Sequence, residues 1–108
     1  MAKYMMIESR DPFDSNDVAF TYDLASGLAK AGHEVTILLV QNGVLAARRG
    51  ARHDRLAAAL ATNIHVLADE FSLRERGIAQ ERLVANIQPV SIDVVIDHLA
   101  DGHKTLWH

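Results

Sequence analysis

The sequence contains no cysteine, and this absence excludes several kinds of chemistry at once. A chain without a thiol forms no disulfide, has no thiolate nucleophile and supplies no cysteine ligand to a metal. No apolar run approaches the roughly 18 residues that a membrane-spanning helix needs. Charged side chains at Glu8, Arg10 and Asp11 stand where a signal peptide would have its apolar segment. These absences predict a cytoplasmic protein that neither crosses a membrane nor is exported.

Several motifs that carry well-known chemistry are missing as well. The six glycines never fall in the G-x-G-x-x-G spacing of dinucleotide-binding proteins, and no G-x-x-x-x-G-K phosphate loop is present. No serine lies in a G-x-S-x-G elbow, and no two of the six histidines have the i, i+4 spacing that places two metal ligands on one helix face. We therefore predict no cofactor and no metal, and we assign no catalytic residue.

The composition is that of one globular domain. The chain has 108 residues, of which 49% are hydrophobic and 23% are charged, and this suits a single domain over residues 1–108 with a modest core. The net charge of -3 argues against a nucleic-acid-binding protein, because such a protein is usually basic.

Short apolar runs that favour strands alternate with segments of helical periodicity. The predicted strands are residues 3–9, 34–40, 64–68, 86–90 and 104–108, and Pro89 confines the fourth to an edge or a strand end. The run Glu34–Val40 is apolar almost throughout, which is typical of a parallel strand buried on both faces. The alternation predicts an α/β fold: a single-domain three-layer sandwich with a mostly parallel sheet of about five strands flanked by helices.

Helices are predicted between these strands. Asp14 or Ser15 is the expected cap of the first helix, whose buried stripe comprises Val18, Tyr22, Ala25 and Ala29, widened by Phe20, Leu24, Leu28 and Ala31. The second helix is most secure near residues 52–61. Ser72 and Glu75 match a capping box for a short third helix. The segment Ser91–Gly102 predicts the last helix.

Polar residues follow three of the predicted strands. In open parallel sheets, ligands bind beyond the carboxyl ends of the strands, so these turns predict one cluster of charged and amide groups. The alternative is that the turns are polar only because loops must satisfy their backbone groups. The predicted ligand-binding residues are Arg10, Asp11, Asn42, Gly43, Asp69 and Glu70.

Arginines are concentrated between the second strand and the second helix. The stretch "ARRGARHDR" contains Arg48, Arg49, Arg52 and Arg55, with only Asp54 opposing them. Such a group could bind an anion or an acidic partner. A solvated helix face is the interpretation that we favour from the sequence.

Four segments in their order along the chain resemble the DsrE/DsrF-like (DsrEFH/TusBCD sulfur-relay) family. They are "IESRDPFDSND" leading into the first helix, "TILLVQNGV" at the end of strand two, the short helix that ends in "RGI" at Arg76–Ile78, and "SIDVVIDHLADG" before a terminal strand. The resemblance covers the whole chain. It implies the same α/β fold and assembly into a trimer or a hexamer.

The resemblance also implies a departure from the sulfur-carrying members. Those members keep a persulfide-bearing cysteine near the end of strand three, and the corresponding position here is Ala68 or Asp69. A carboxylate cannot carry and transfer sulfur as a thiolate does, so this chain is not expected to be a persulfide sulfurtransferase. The favoured prediction is a non-catalytic or regulatory subunit of a sulfur-relay or related assembly. Its partners would be copies of itself, other DsrE-like proteins or sulfur-carrier proteins.

A second function class stays open from the sequence. The chain could bind a small molecule, or act as an enzyme, through a strand-end pocket around Asp69. Asp69 and Glu70 could do acid/base work only if burial separated their pKa values. Adjacent strand residues point to opposite faces, so the two carboxylates are not expected to share one proton. One of them could instead cap the short helix.

Overall fold

Five parallel strands form one sheet in the computed structural model, which describes residues 1–51 and 53–108. The strands are β1 (Lys3–Glu8), β2 (Glu34–Leu39), β3 (Ile64–Asp69), β4 (Ile87–Val90) and β5 (Lys104–Trp107). Their order across the sheet is β4-β3-β2-β1-β5, and every neighbouring pair is parallel. The predicted fold class and sheet are confirmed, and β4, which contains Pro89, lies at one edge.

Helices occupy the connections between the strands. They are α1 (Val18–Lys30), α2 (Asp54–Ala61), α3 (Glu70–Glu75) and α4 (Asp93–Ala100), together with two 3-10 helices at Gln41–Ala47 and Gln80–Arg82. The predicted second helix included Arg52, which lies outside the described residues. Among the helices of the described ranges, none has the length and apolar content that a bilayer span requires.

The sheet separates two apolar clusters of unequal size. The larger cluster joins α1, α2 and the 3-10 helix Gln41–Ala47 to one face of the sheet. Tyr22 lies in it with no exposed surface. The smaller cluster, on the other face, is built on Met5, Ile7, Leu38 and Val40, and of the described helices only α4 contributes to it. One face of the sheet is therefore covered by several helices and the other by a single helix.

Two expectations for α1 were wrong. Its N-cap position is Asp17 rather than Asp14 or Ser15, and no side-chain cap bond forms there. The buried stripe is also narrower than predicted, because Phe20 is 70% exposed and Leu24 is 42% exposed. Only the stripe of Val18, Tyr22 and Ala25 is fully buried, since a straight helix presents a limited arc to a sheet.

The first 3-10 helix lies directly against the end of β1 at Gly43. A Cβ atom added to Gly43 would lie 2.3 Å from the backbone carbonyl oxygen of Glu8, far inside van der Waals contact. The Gly43 N–H donates to the carbonyl of Val40, 2.9 Å away, which begins the turn out of β2. Gly43 thus has a packing reason for its identity, because only glycine permits this close approach of two backbone segments.

We expect Gly43→Ala to destabilise the protein by about 1–3 kcal/mol, since the added methyl group forces two backbone segments apart. Urea denaturation gives the free energy of unfolding for comparison with the wild type. Gly27→Ala is the matched control. A Cβ at Gly27, inside α1, meets no atom within 4 Å, so that substitution should stabilise by about 0.5–1 kcal/mol. Equal effects of the two substitutions would contradict the close contact.

Candidate functional site

Asp69 ends β3 and caps α3. Its Oδ2 accepts hydrogen bonds from the backbone N–H of Ser72 at 3.0 Å and from the Ser72 hydroxyl at 2.6 Å. Asp69 is only 6% exposed, and its Oδ1 is buried with no hydrogen-bond partner among the described residues. Glu70 is the first residue of α3 and is exposed. The two adjacent carboxylates therefore lie in different environments, and Asp69 is the one used in capping.

The predicted capping box at Ser72 and Glu75 was wrong. Ser72 lies inside α3 and is buried. It donates hydrogen bonds to the capping residue Asp69 and is not itself the cap. Its hydroxyl also accepts a hydrogen bond from the backbone N–H of Gln41 at 2.8 Å. Gln41 has a φ of 50°, a conformation that few residues other than glycine adopt. Asp69 and Ser72 together thus join the end of β3 to the turn that follows β2.

Asn42 is held by an arginine that the sequence did not suggest. The Asn42 Oδ1 accepts from Nε and Nη2 of Arg76, both at 3.1 Å. The Arg76 Nη1 donates to the Ser72 carbonyl at 3.2 Å. The side chain of Asn42 thus ties the first 3-10 helix to the end of α3, and Arg76 completes the tie.

A second polar group, which the sequence analysis missed, lies at the ends of β1 and β5. Glu8 has no exposed surface, and its Oε2 accepts from the backbone N–H of Arg10 at 3.1 Å. The Nδ1 of His108 lies 2.8 Å from the Glu8 Oε1, and the His108 Nε2 lies 3.1 Å from the Asp17 Oδ2. Arg10 donates from Nη1 to the same Asp17 oxygen at 3.2 Å. The imidazole therefore bridges one buried carboxylate and one exposed carboxylate.

These contacts change the proton affinities of the groups involved. The hydrogen bond to Glu8 raises the pKa of His108, burial opposes it and the bond to Asp17 adds to it. The Ser15 hydroxyl, and then His108, lower the pKa of Asp17. Burial, followed by the charges of Glu8 and Asp11, raises the pKa of Tyr22 well above its ordinary value. The bridge is thus most favourable when His108 is an imidazolium, because both of its nitrogens then donate to carboxylates.

The predicted site residues lie at two places along the strand ends. Arg10 and Asp11 belong with Glu8 at the end of β1, where the Asp11 Oδ1 accepts from the backbone N–H of Phe13 at 3.0 Å. Asn42, Gly43, Asp69 and Glu70 lie at the ends of β2 and β3. Within residues 1–51 and 53–108, no hydrogen bond or ion pair joins Asp69 to Arg10 or to Asn42. Ligand binding by these residues stays a prediction.

The sequence offered only a weak signal for the second group. A glutamate at the end of an apolar strand could have been suspected of burial, but His108 lies 100 residues away in the chain.

Among the described residues, no group of three or more histidines and acids could hold a metal ion.

By its fold, this is a small α/β protein with a parallel sheet. Its third strand leads directly into a short helix that the last residue of the strand caps. The family model of the DsrE/DsrF-like family matches residues 2–107. The chain therefore belongs to the DsrE/DsrF-like family. A search of the curated proteins gives no match.

Solved structures share this fold at low sequence identity. The ychN protein from E. coli has a TM-score of 0.89 and 19% identity, with both chains covered completely. MTH1491 from Methanobacterium thermoautotrophicum has a TM-score of 0.82 and 15% identity, over 98% of this chain and 100% of its own. BT1422 from Bacteroides thetaiotaomicron has a TM-score of 0.75 and 19% identity, over 98% and 95%. At such identities the likeness shows the fold alone.

We expect Asp69→Ala to destabilise the protein by about 1–2 kcal/mol, because α3 loses its cap and the buried Ser72 hydroxyl loses the acceptor for its hydrogen. Asp69→Asn keeps an oxygen that can accept from the Ser72 N–H, so this variant should lose less free energy of unfolding than the alanine variant. Chemical denaturation of both variants beside the wild type measures the difference. An alanine variant as stable as the wild type would remove the capping role and return Asp69 to the candidates for ligand binding.

Stability should depend on pH through His108. Its pKa in the folded protein is raised above the value of about 6.5 that it has when unfolded. The bridge therefore stabilises fully below about pH 6.5, and its contribution is lost as the pH rises through the raised pKa. The free energy of unfolding of the wild type, minus that of His108→Asn, should fall over that window.

His65→Asn is the control for this measurement, because His65 is an exposed histidine of β3. Its side chain forms no hydrogen bond or ion pair with the described residues, so its substitution should leave the His108 bridge, and the fall in stability that the bridge causes, in place. A His108→Asn variant with unchanged pH dependence would contradict the bridge, and NMR titration of the His108 ring would locate the shift directly.

Proposed function

We propose that this protein is a non-catalytic, self-assembling DsrE-like subunit of a sulfur-relay or related assembly. The observation that carries the proposal is the use of Asp69. The family resemblance places a sulfur-carrying cysteine near the end of strand three, and at that place this chain has a carboxylate that caps α3. The side chain at this position therefore stabilises the start of α3, and it offers no sulfur atom for transfer.

The chemistry of Asp69 supports a role without sulfur transfer. Persulfide transfer needs a thiolate that attacks and leaves, and the chain contains no cysteine to provide one. Asp69 is also nearly fully buried, and one of its oxygens is held by Ser72. A subunit of this kind would contribute surface to an assembly, while the sulfur would be carried by another protein.

The uneven cover of the sheet supports assembly with further copies of the chain. Ile92, the N-cap residue of α4, and Ile96 and Leu99 within the helix have the i, i+4, i+7 spacing, and their exposures are 50%, 66% and 53%. Trp107 is 69% exposed. It pairs in register with Ile7 of the smaller cluster, so its side chain lies on the α4 side of the sheet. Exposed apolar groups of this kind favour burial in an interface.

The partner that we propose for this apolar surface of α4 and Trp107 is a second copy of the chain. The domain is small, and the helix on this face covers the central residues Met5, Ile7, Leu38 and Val40 but leaves Trp107 of the outer strand exposed. Burial against a symmetric copy remedies such a deficit without another gene product. We propose a trimer or a hexamer, in line with the family resemblance.

The alternative function, a small-molecule site around Asp69, has less support. A ligand would have to reach a carboxylate that is 6% exposed and already engaged in a helix cap. Asn42, its proposed neighbour, has its oxygen occupied by Arg76. Binding there would require the capped N-terminal turn of α3 to open.

We expect light scattering at micromolar concentration to give the mass of a trimer or a hexamer. The double substitution Ile96→Gln and Leu99→Gln should raise the dissociation constant by at least about tenfold, because it removes apolar contacts from the centre of the interface. Trp107, the one tryptophan, reports the same event. Its emission should shift to shorter wavelength as protein concentration rises, because assembly removes its indole from water.

Phe20→Gln is the matched control for this surface. Phe20 is 70% exposed and lies on α1, which packs on the opposite face of the sheet. Its substitution should leave the assembled mass unchanged. A monomeric wild type at micromolar concentration would overturn the assembly. An equal loss of mass in the Phe20 variant would overturn the assignment to the α4 surface.

A further inference from the structure

Arginines from three separate segments line one open cleft. The cleft has a volume of about 830 Å³ and includes Arg48, Arg49, Arg76 and Arg82 in its wall. Arg48 and Arg49 follow the first 3-10 helix, Arg76 follows α3 and Arg82 ends the second 3-10 helix. The sequence had suggested a different group, since it joined Arg48 and Arg49 to Arg52 and Arg55. Arg55 instead pairs with Asp23, 2.5 Å away, and Arg52 lies outside the described residues.

Backbone hydrogen bonds hold two of these segments side by side. Arg48 and Leu83 form an antiparallel bridge, and the Arg49 N–H donates to the Arg82 carbonyl at 2.7 Å. The Val84 N–H donates to the carbonyl of Ala47 at 2.8 Å. Leu83 is 4% exposed and anchors this pairing in the larger core cluster. The arginines are therefore brought together by the fold rather than by flexible surface chain.

The guanidinium groups are oriented, yet most of their donors are free. The Arg48 Nε donates to the Leu45 carbonyl at 2.8 Å, and the Arg49 Nε donates to the Leu83 carbonyl at 2.9 Å. Each bond uses one of five N–H groups, so both terminal nitrogens remain available to a ligand. No described residue bonds the side chain of Arg82. Arg76 is different, because Asn42 and the Ser72 carbonyl occupy three of its five N–H groups.

The cleft also lacks compensating negative charge. Of its lining residues, only Glu81 is acidic, and within the described ranges no carboxylate lies in ion-pair distance of Arg48, Arg49 or Arg82. Three unpaired guanidinium groups therefore share one cleft in a chain with 14 acidic and 11 basic residues. Outside the cleft, Lys3, Arg10 and Arg55 pair with Asp101, Asp17 and Asp23, whereas Lys30, Arg74 and Lys104 have no ion pair within the described ranges and lie apart from one another in the sequence. Crowded like charges repel one another, and an anion between them relieves that repulsion.

We propose that this arginine cleft binds a phosphate-bearing small molecule. The guanidinium fork matches the oxygens of a phosphate and can bind two of them at once. A volume of about 830 Å³ lies within the usual range of small-molecule sites. Arg48, Arg49 and Arg82 line the same cleft, which suits a compact group with several oxygens. An extended acidic peptide, with its carboxylates spaced along a strand, suits it less.

Inorganic pyrophosphate is the probe, measured by isothermal titration calorimetry at constant ionic strength with sodium chloride as the reference salt. Arg82→Gln should weaken pyrophosphate binding about tenfold, and Arg48→Gln with Arg82→Gln about a hundredfold, because each removes a charge-assisted contact. The unliganded Arg82 variant should melt as the wild type does, since no described residue bonds that side chain.

Arg74→Gln is the matched control. It removes one exposed positive charge from α3, outside the cleft lining, and should leave pyrophosphate binding within about twofold of the wild type. Amide NMR shifts at Gly50 and Ala51, which line the cleft, should move on titration. An equal loss in the Arg74 variant, or shifts confined to other residues, would overturn the site. Binding of a polyglutamate peptide without binding of pyrophosphate would overturn the ligand class.

Discussion

Every strand of this sheet is parallel to its neighbours, and that constraint organises the molecule. Parallel strands cannot be joined by tight hairpins, so each connection must travel back across the sheet, and here each one contains a helix. All the strands then end at the same edge, where the turns after β1, β2 and β3 bring their polar residues. The connection from β4 to β5 joins the two outer strands and contains α4. A single helix on that face leaves apolar surface exposed, which is the basis of the assembly that we propose.

Two acidic side chains at the strand ends, Glu8 and Asp69, are buried in this arrangement. An isolated carboxylate away from water is strongly unfavourable, so each needs donors nearby. Glu8 obtains the Arg10 N–H and the His108 ring, and Asp69 obtains the N–H and hydroxyl of Ser72. Both solutions tie distant segments together. The Glu8 contact joins β1 to the residue after β5, and the Asp69 contact reaches the turn after β2 through Ser72.

The arginine cleft and the cap of α3 share one side chain. Arg76 lines the cleft, and it also bonds Asn42 and the carbonyl of Ser72, the residue that Asp69 holds. The two features are therefore parts of one structural unit around α3. The Asp69 carboxylate at the start of this unit caps α3, while guanidinium groups with free N–H donors line the cleft at its other end.

The one-dimensional pattern of the sequence was enough for the fold class. Apolar runs such as Glu34–Val40 and the helical stripe around Tyr22 depend on local periodicity, and their strands and helices appear where they were predicted. The family was also accessible, because it rests on the order of such elements. The absence of cysteine could also be read directly from the residues, and it is the basis of the proposal that sulfur is carried by another protein.

Contacts between distant residues were decided only by the tertiary structure. Which residue caps α3 depended on the geometry at the end of β3, so the cap is Asp69 rather than Ser72. The Glu8–His108 contact spans 100 residues, and no local pattern encodes it. The arginines likewise regrouped, because the bridge between Arg48 and Leu83 brings Arg82 beside them while Arg55 points to Asp23. Sequence periodicity determines which face of an element is buried, but it does not determine which elements meet, and the polar sites of this protein lie where elements meet.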